Sequence, residues 1–339
     1  MTAASSAPTG TTAPPVPYSQ SGVFFPTQYL GTLFKDSGGF LHYQVSKVDV
    51  TPCIDAYADF ASFCEGRGID LLYVQAPNKE LKGYTVLPEG AYNYANANAD
   101  AFLAALGGKN LNYLDLREQI IAQNLDRESL FYKTDHHWKT PAAFWATSQT
   151  VKYLNSDFGA GLDADGSISD LSNYSQIEYK ASFLGAQGRA VGAENAGLDD
   201  YTQILPDFPT SLAIWTSLHD GDPDRSGSFK QTIVIPELLA GDDPTVNRYA
   251  SYFGADFPYL RIENYGAGNN YKIMLVKDSF GTPYGAFLSL YAWELDMVDL
   301  RGISETGTTL RGLVERCAPD AVVFLYNPES FDNTMFNLK

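Results

Sequence analysis

Positive charge is scarce in this chain: 23 Lys plus Arg stand against 40 Asp plus Glu, a formal net charge of −17. No basic field exists to gather phosphates by counterion release, which argues against nucleic acid as a partner and against direct docking on anionic lipid. Long apolar runs are missing as well. The longest, Ala321 to Tyr326 and Ile273 to Val276, fall far short of the ~18 residues of a membrane helix and read as buried strands. Cysteine is nearly absent. Cys53 and Cys64 lie in one predicted helix, about 16 Å apart at 1.5 Å rise per residue, beyond disulfide reach, so they are expected as core thiols. Cys317 is left able to pair with either. The histidines number only four, His42, His136, His137 and His219, and no H-x-x-x-H or paired-cysteine spacing accompanies them. No metal and no cofactor are expected.

What is present is a foldable globule. The 339 residues are 45% hydrophobic, 14% aromatic and 19% charged, enough for one large α/β domain or two modest ones. Residues 1–22 differ, with four each of Ala, Ser, Thr and Pro. Such a composition buries too little surface to order itself and resembles a cell-surface linker, which points to export. The predicted catalytic domain runs from 23 to 339.

Thr51-Pro52 opens a predicted helix that Gly66 and Gly68 stop, and a strand, Ile69 to Gln75, follows. A helix around Asn98 to Leu106 and a strand Leu111 to Leu116 come next, and Thr140-Pro141 starts another helix. The rhythm resumes with strand Lys272 to Val276, helix Pro283 to Tyr291, strand Leu295 to Leu300, a helix near Thr308 to Cys317 and strand Ala321 to Tyr326. This alternation predicts an α/β fold with a parallel central sheet flanked by helices. Between about 155 and 270 the periodicity dissolves into Gly, Pro, Asp and Tyr, and a long irregular insertion walling a cleft is expected there. Its Tyr249, Tyr252, Phe253, Phe257 and Tyr259 suit a sugar-stacking platform, although aromatics at that density more often build core.

Two strings carry chemistry. In Thr134-Asp135-His136-His137-Trp138, on a loop before the Thr140 helix, an Asp two residues ahead of a His can accept its Nδ1–H and stabilise imidazolium, as a general base requires; Trp138 would wall the site. In Lys277-Asp278-Ser279-Phe280-Gly281, Ser279 falls at the carboxyl end of a buried strand, where open α/β sheets gather ligands. The amides of Ser279 and Gly281 would face a developing oxyanion from a helix N-terminus. Arg301, Gly302 and Asn327 lie just beyond two further strands, on the same rim. Asn327 can donate its amide or merely end its strand before Pro328; Arg301 can serve the site or pair with a carboxylate; Lys79, past the first strand, can touch substrate or simply be solvated.

These strings carry a resemblance. Asp135-His136-His137-Trp138, followed far downstream by Asp278-Ser279-Phe280, resembles the DHHW family, which is similar to the SGNH-like domains of bacterial alginate O-acetyltransferases. The likeness spans roughly Phe24 to Asn327, loosely across the insertion. SGNH hydrolases run in the order Ser, Gly, Asn and then Asp-His, with Asp three residues before His. Here the Asp-His block comes first and the spacing is two, so the resemblance implies a circularly permuted SGNH-hydrolase-like sheet. By the Asp-x-His-Trp spacing it implies Ser279, His137 and Asp135 as the triad, His136 as the alternative base, and Asn327 with Gly302 as oxyanion donors. The expected activity is O-acyl, most simply acetyl, transfer to or from a cell-surface or extracellular polysaccharide through a serine acyl-enzyme. A membrane-bound partner that supplies the acyl group fits the same expectation. The competing reading is a non-catalytic carbohydrate-binding or envelope-assembly protein on the same fold.

Overall fold

The computed structural model describes residues 23–28, 31–82 and 85–339; the linker read from 1–22 lies outside them. In chain order the strands are β1 (Val23–Pro26), β2 (Thr32–Lys35), β3 (Leu41–Tyr43), β4 (Asp70–Gln75), β5 (Tyr113–Asp115), β6 (Tyr174–Phe183), β7 (Asp199–Pro206), β8 (Leu212–Trp215), β9 (Arg225–Gly227), β10 (Tyr259–Asn264), β11 (Lys272–Lys277), β12 (Glu294–Val298) and β13 (Ala321–Tyr326). Eight of them form a central sheet in the order β5-β4-β13-β11-β12-β10-β8-β9. The first five of that order run parallel. β10, β8 and β9 extend the sheet antiparallel.

Apart from the short edge strand β5, the parallel strands are buried on both faces, as crossover helices require. Leu72, Val74, Ile273, Leu275, Val323 and Leu325 point into one core, which the helix Thr140–Asp157 covers. Their neighbours Leu71, Tyr73, Met274, Val276, Val322 and Phe324 point into the other, against the helices Thr51–Glu65, Ala95–Gly108 and Leu310–Cys317. This alternation is the period of two that a strand imposes on its side chains. Because β4, β11, β12 and β13 are parallel, their carboxyl ends open onto one rim.

The expected helices form with small shifts. Pro52 sits in the first turn of Thr51–Glu65, but Asp49 Oδ1, not the Thr51 hydroxyl, takes the leading amide, at 3.0 Å. Thr309 rather than Thr308 caps Leu310–Cys317, accepting from the Gly312 amide at 3.2 Å. The insertion is more ordered than its composition implied. β6 and β7 make a separate antiparallel ribbon, and β8 to β10 join the main sheet. In β10 the half-buried Arg261 and Glu263 interrupt the apolar residues, which hid the strand from the sequence. Tyr249, Tyr252, Phe253 and Tyr259 are buried, so the aromatics build core rather than a sugar platform. All three cysteines are free, Cys53 and Cys64 buried.

Beside β1 to β3 a second imidazole meets a carboxylate: His42 Nε2 lies 2.6 Å from Asp36 Oδ2, which also accepts from Arg127 at 2.7 Å. Burial, opposed by the bond to Asp36, pushes the His42 imidazole from 6.5 down to about 4. The unfolded chain therefore binds this proton more tightly than the native one. Stability is expected to fall as pH drops from about 6.5 to about 4, by up to ~3 kcal/mol from this group. Urea midpoints at the two ends of that range check it; a His42→Gln variant should show a smaller drop than wild type, and an equal drop would remove His42 from the explanation.

Candidate active site

β11 ends at Lys277, and the chain turns through Asp278, Ser279 and Phe280 into the helix Gly281–Leu288. This turn lifts Ser279 onto the rim beneath the loop Thr134–Trp138. Ser279 Oγ lies 2.7 Å from His137 Nε2, and His137 Nδ1 lies 2.6 Å from Asp135 Oδ1. With Nδ1–H donating to the carboxylate, Nε2 is left to accept from the hydroxyl. The hydroxyl, imidazole and carboxylate are in line although 142 positions separate Ser279 from His137.

Each member is held from outside. Asp135 Oδ1 also accepts the His137 amide at 3.0 Å, and Oδ2 accepts the Ala186 amide at 2.7 Å. Burial pushes the Asp135 carboxyl up, but the imidazoles of His137 and His136 and these hydrogen bonds outweigh it and hold the group well below the usual carboxylate range. Tyr249 stacks on the His137 ring, centroids 3.9 Å apart, and donates its hydroxyl to the Ser279 carbonyl at 3.1 Å. Trp138 is fully buried beneath the site rather than walling a cleft, and its Nε1–H donates to the Phe280 carbonyl at 3.1 Å, tying one string to the other. His136 stands outside the relay: its ring lies 3.8 Å from that of His137, and its Nδ1 is 3.7 Å from Asp135 Oδ1, beyond hydrogen-bond reach. Burial and then the neighbouring His137 push it down to about 3.

The oxyanion side departs from expectation. The Ser279 amide, just ahead of the helix Gly281–Leu288, has no acceptor among the described residues. The Gly281 amide, by contrast, is spent on the Asp278 carbonyl at 3.0 Å. Glycine is needed at 281 for close approach, since a Cβ there would fall 2.5 Å from Lys277 Cβ. Asn327 turns inward: its backbone and side-chain amides donate to Asp278 Oδ2 at 2.7 and 2.8 Å. Gly302 gives its amide to the Asp299 carbonyl at 3.2 Å and packs against Pro258. Arg301 pairs with Asp299 and with Asp256, the carboxylate-paired alternative. Lys79 is neither solvated nor open to substrate. Its buried ammonium donates to the carbonyls of Tyr132, Lys133 and Asp135 and to Gln187 Oε1, at 2.7 to 3.3 Å. Burial, opposed by Asp135 and Asp199, brings its pKa down to about 7.

Asp135, His136 and His137 bring donor atoms within 4.8 Å of one another, the one such group among the described residues. Both nitrogens of His137 already face Asp135 and Ser279, so the trio offers a metal no free set of three ligands.

The supporting roles of several residues escaped the sequence reading. Asp278 is a buried anchor: Oδ1 accepts the Phe280 amide at 2.9 Å, and Oδ2 takes Asn327 and the Ser330 hydroxyl. Thr134 is pinned by Asp199, which accepts its amide and hydroxyl at 2.8 and 2.7 Å. Gly185 passes so close to the loop that a Cβ there would fall 2.2 Å from Asp135 Cβ. Gly185→Ala is therefore expected to push Asp135 off His137 and cut ester turnover by about 100-fold, since a displacement near 1 Å is enough. Kinetics on a variant shown folded by its melting curve check this; near-normal turnover would mean that the loop yields instead.

Ser279, His137 and Asp135 line up on the carboxyl rim of a largely parallel, helix-flanked α/β sheet, and the fold is SGNH hydrolase-like. Residues 33–169 match the family model described as the SGNH hydrolase-like domain of the acetyltransferase AlgX, a stretch that includes Asp135 to Trp138 and ends before Ser279. No curated protein matches the chain. Among solved structures, Bacillus cereus PatB1 with a sulfonyl adduct is similar in fold, with TM-score 0.69 and 19% identity over 91% of this chain and 99% of that one. A DHHW family protein from Eubacterium siraeum gives TM-score 0.69 and 16% identity over 93% and 97%. The resemblance read from the sequence is thus borne out in family model and fold.

Proposed function

We propose that this protein is an extracytoplasmic O-acyltransferase that moves an acyl group, most simply acetyl, onto a carbohydrate hydroxyl through an ester on Ser279. The observation that carries this reading is the alignment of Ser279 Oγ, His137 and Asp135 at 2.7 and 2.6 Å. The acetyltransferase description of the matching family supports the group transferred. No helix among the described residues is long and apolar enough to cross a membrane.

His137 Nε2 takes the Ser279 proton as Oγ bonds to the acyl carbon, and the resulting oxyanion faces the free Ser279 amide. The tetrahedral centre collapses, the bond to the leaving group breaks, and His137 passes its proton to that group. In the second half an incoming hydroxyl gives its proton to His137 and attacks the ester; collapse returns the proton to Ser279. Asp135 stays ionised throughout and stabilises the imidazolium.

The sulfonyl adduct of PatB1 suggests the test. Phenylmethanesulfonyl fluoride is expected to abolish release of p-nitrophenolate from p-nitrophenyl acetate and to leave one sulfonyl group per chain, on Ser279. Wild-type protein that releases no nitrophenolate and takes up no sulfonyl group would favour the carbohydrate-binding reading instead.

A further inference from the structure

The loop that carries Asp135 and His137 wraps its backbone around one buried cation. Lys79 is 4% exposed, and its Nζ donates to the carbonyls of Tyr132, Lys133 and Asp135 at 3.3, 3.2 and 2.8 Å and to Gln187 Oε1 at 2.7 Å. Four oxygens thus surround a group that has three protons and no acceptor, the all-oxygen shell that a bound cation takes. The Tyr132 and Asp135 carbonyls have no other donor among the described residues. The remaining carbonyl of the stretch, that of Thr134, is taken by the Gly188 amide at 2.7 Å.

Two of these contacts bear on the relay. Asp135 is gripped through its own carbonyl, and Gln187 follows Ala186, whose amide holds Asp135 Oδ2. One ammonium therefore joins both segments that fix the carboxylate. Lys79 is itself held from behind, its carbonyl accepting from Arg127 Nε at 2.7 Å, and Arg127 pairs with Asp36. The carboxylates of Asp135, Asp199, Asp36 and Glu329 act on the ammonium across the packing, against Arg127 and the imidazoles of His42 and His136, and Glu80 lines the same narrow cavity. We infer that Lys79 is a positioning residue of the relay: its ammonium is an internal cation whose charge folds the Tyr132–Asp135 backbone and so aims the Asp135 carboxylate at His137. The kinetic part of its test rests on the acyltransferase reading; the spectroscopic part does not.

Lys79→Ala deletes Cγ to Nζ, the atoms of n-propylammonium, and the cavity of about 220 Å³, open mouth included, that Lys79 lines beside His136 gives that ion a way in. Burial brings the Lys79 ammonium down to about 7, so the comparison is made at about pH 6.5, where it keeps its proton. Lys79→Ala and the neutral, similarly long Lys79→Met are each expected to lower kcat for p-nitrophenyl acetate by about 100-fold, with KM changed less than about threefold. Propylammonium should restore Lys79→Ala by at least about tenfold, and n-propanol, the same shape without the charge, should not. The proton of the 2.6 Å bond between His137 and Asp135 is expected far downfield in the proton NMR spectrum of wild type, absent in Lys79→Ala and back on addition of the amine. Near-wild-type kcat in both variants, equal rescue by propanol, or a downfield proton indifferent to both Lys79 and the amine would each overturn the inference. Should Lys79→Ala fold only with amine present, melting curves replace turnover: stabilisation by propylammonium and not by propanol supports the internal cation, and equal stabilisation overturns it. Wild-type protein without turnover would count against the acyltransferase reading and leave the downfield proton to decide the role of Lys79.

Discussion

Ser279→Ala is expected to lower p-nitrophenyl acetate turnover by about 10⁴-fold or more, because the hydroxyl is the bond-forming atom and nothing near it can replace it. Other hydroxyls around the turn are committed: Tyr249 donates to the Ser279 carbonyl, the Ser330 hydroxyl to Asp278 and the Thr282 hydroxyl to Asp256. Asp135→Asn should cost about as much, since an amide nitrogen facing Nδ1 forces the proton onto Nε2, the wrong tautomer for a base. The two changes combined should cost little more than either alone, as members of one relay are not additive. Steady-state rates on the two single variants and the double variant check this. Independent, multiplying losses would show that Asp135 acts somewhere other than through His137.

Asp278→Ala should be the most damaging change outside the relay. Its buried carboxylate gathers the Phe280 amide, both amides of Asn327 and the Ser330 hydroxyl. Burial raises its pKa, and the hydrogen bonds from Asn327, Ser330 and Phe280 oppose that rise. Removing it strands three donors and leaves the Asn327 side-chain amide only the Ser330 oxygen at 3.2 Å; at ~1–3 kcal/mol for each buried group left unpaired, partly relieved by entering water, a loss of about 3 to 5 kcal/mol is expected. Turnover should fall with it, by about 100-fold, because the turn that positions Ser279 loses its anchor. Asp278→Asn keeps the volume but aims one donor at other donors, and should fall between. Urea unfolding alongside kinetics separates the two effects. Wild-type stability in Asp278→Ala would contradict the anchoring role.

The same residue shows what a sequence can and cannot reveal. Asp278 and Ser279 were conspicuous because they follow a continuous apolar strand, and Asp135 and His137 because histidine is so rare here. Strand ends and scarce residue types are local signals. Which hydrogen bonds those residues then make is not local. Asn327 looked free to face an oxyanion, yet Asp278, 49 positions earlier, claims both its amides. Lys79 looked like an ordinary surface lysine, and only the folding of the Thr134 loop over it supplies the carbonyls that bury its charge. Gly185, Ala186, Gln187 and Tyr249 all come from the stretch without periodicity, where neither a helical nor a strand repeat marks a residue as facing anything. The strands β4, β11 and β13 were legible for the opposite reason: burial on both faces leaves nearly unbroken apolar runs, whereas β10 mixes Arg and Glu into its pattern and was not.

The covalent role of Ser279 is tested most directly by brief incubation with p-nitrophenyl acetate, an acid quench and mapping of the acetyl group by peptide mass. The expected result is one acetyl on Ser279 in wild type and none there in His137→Ala. Nitrophenolate release with the acetyl on another residue, or with no acetylated peptide under conditions that trap esters, would contradict it.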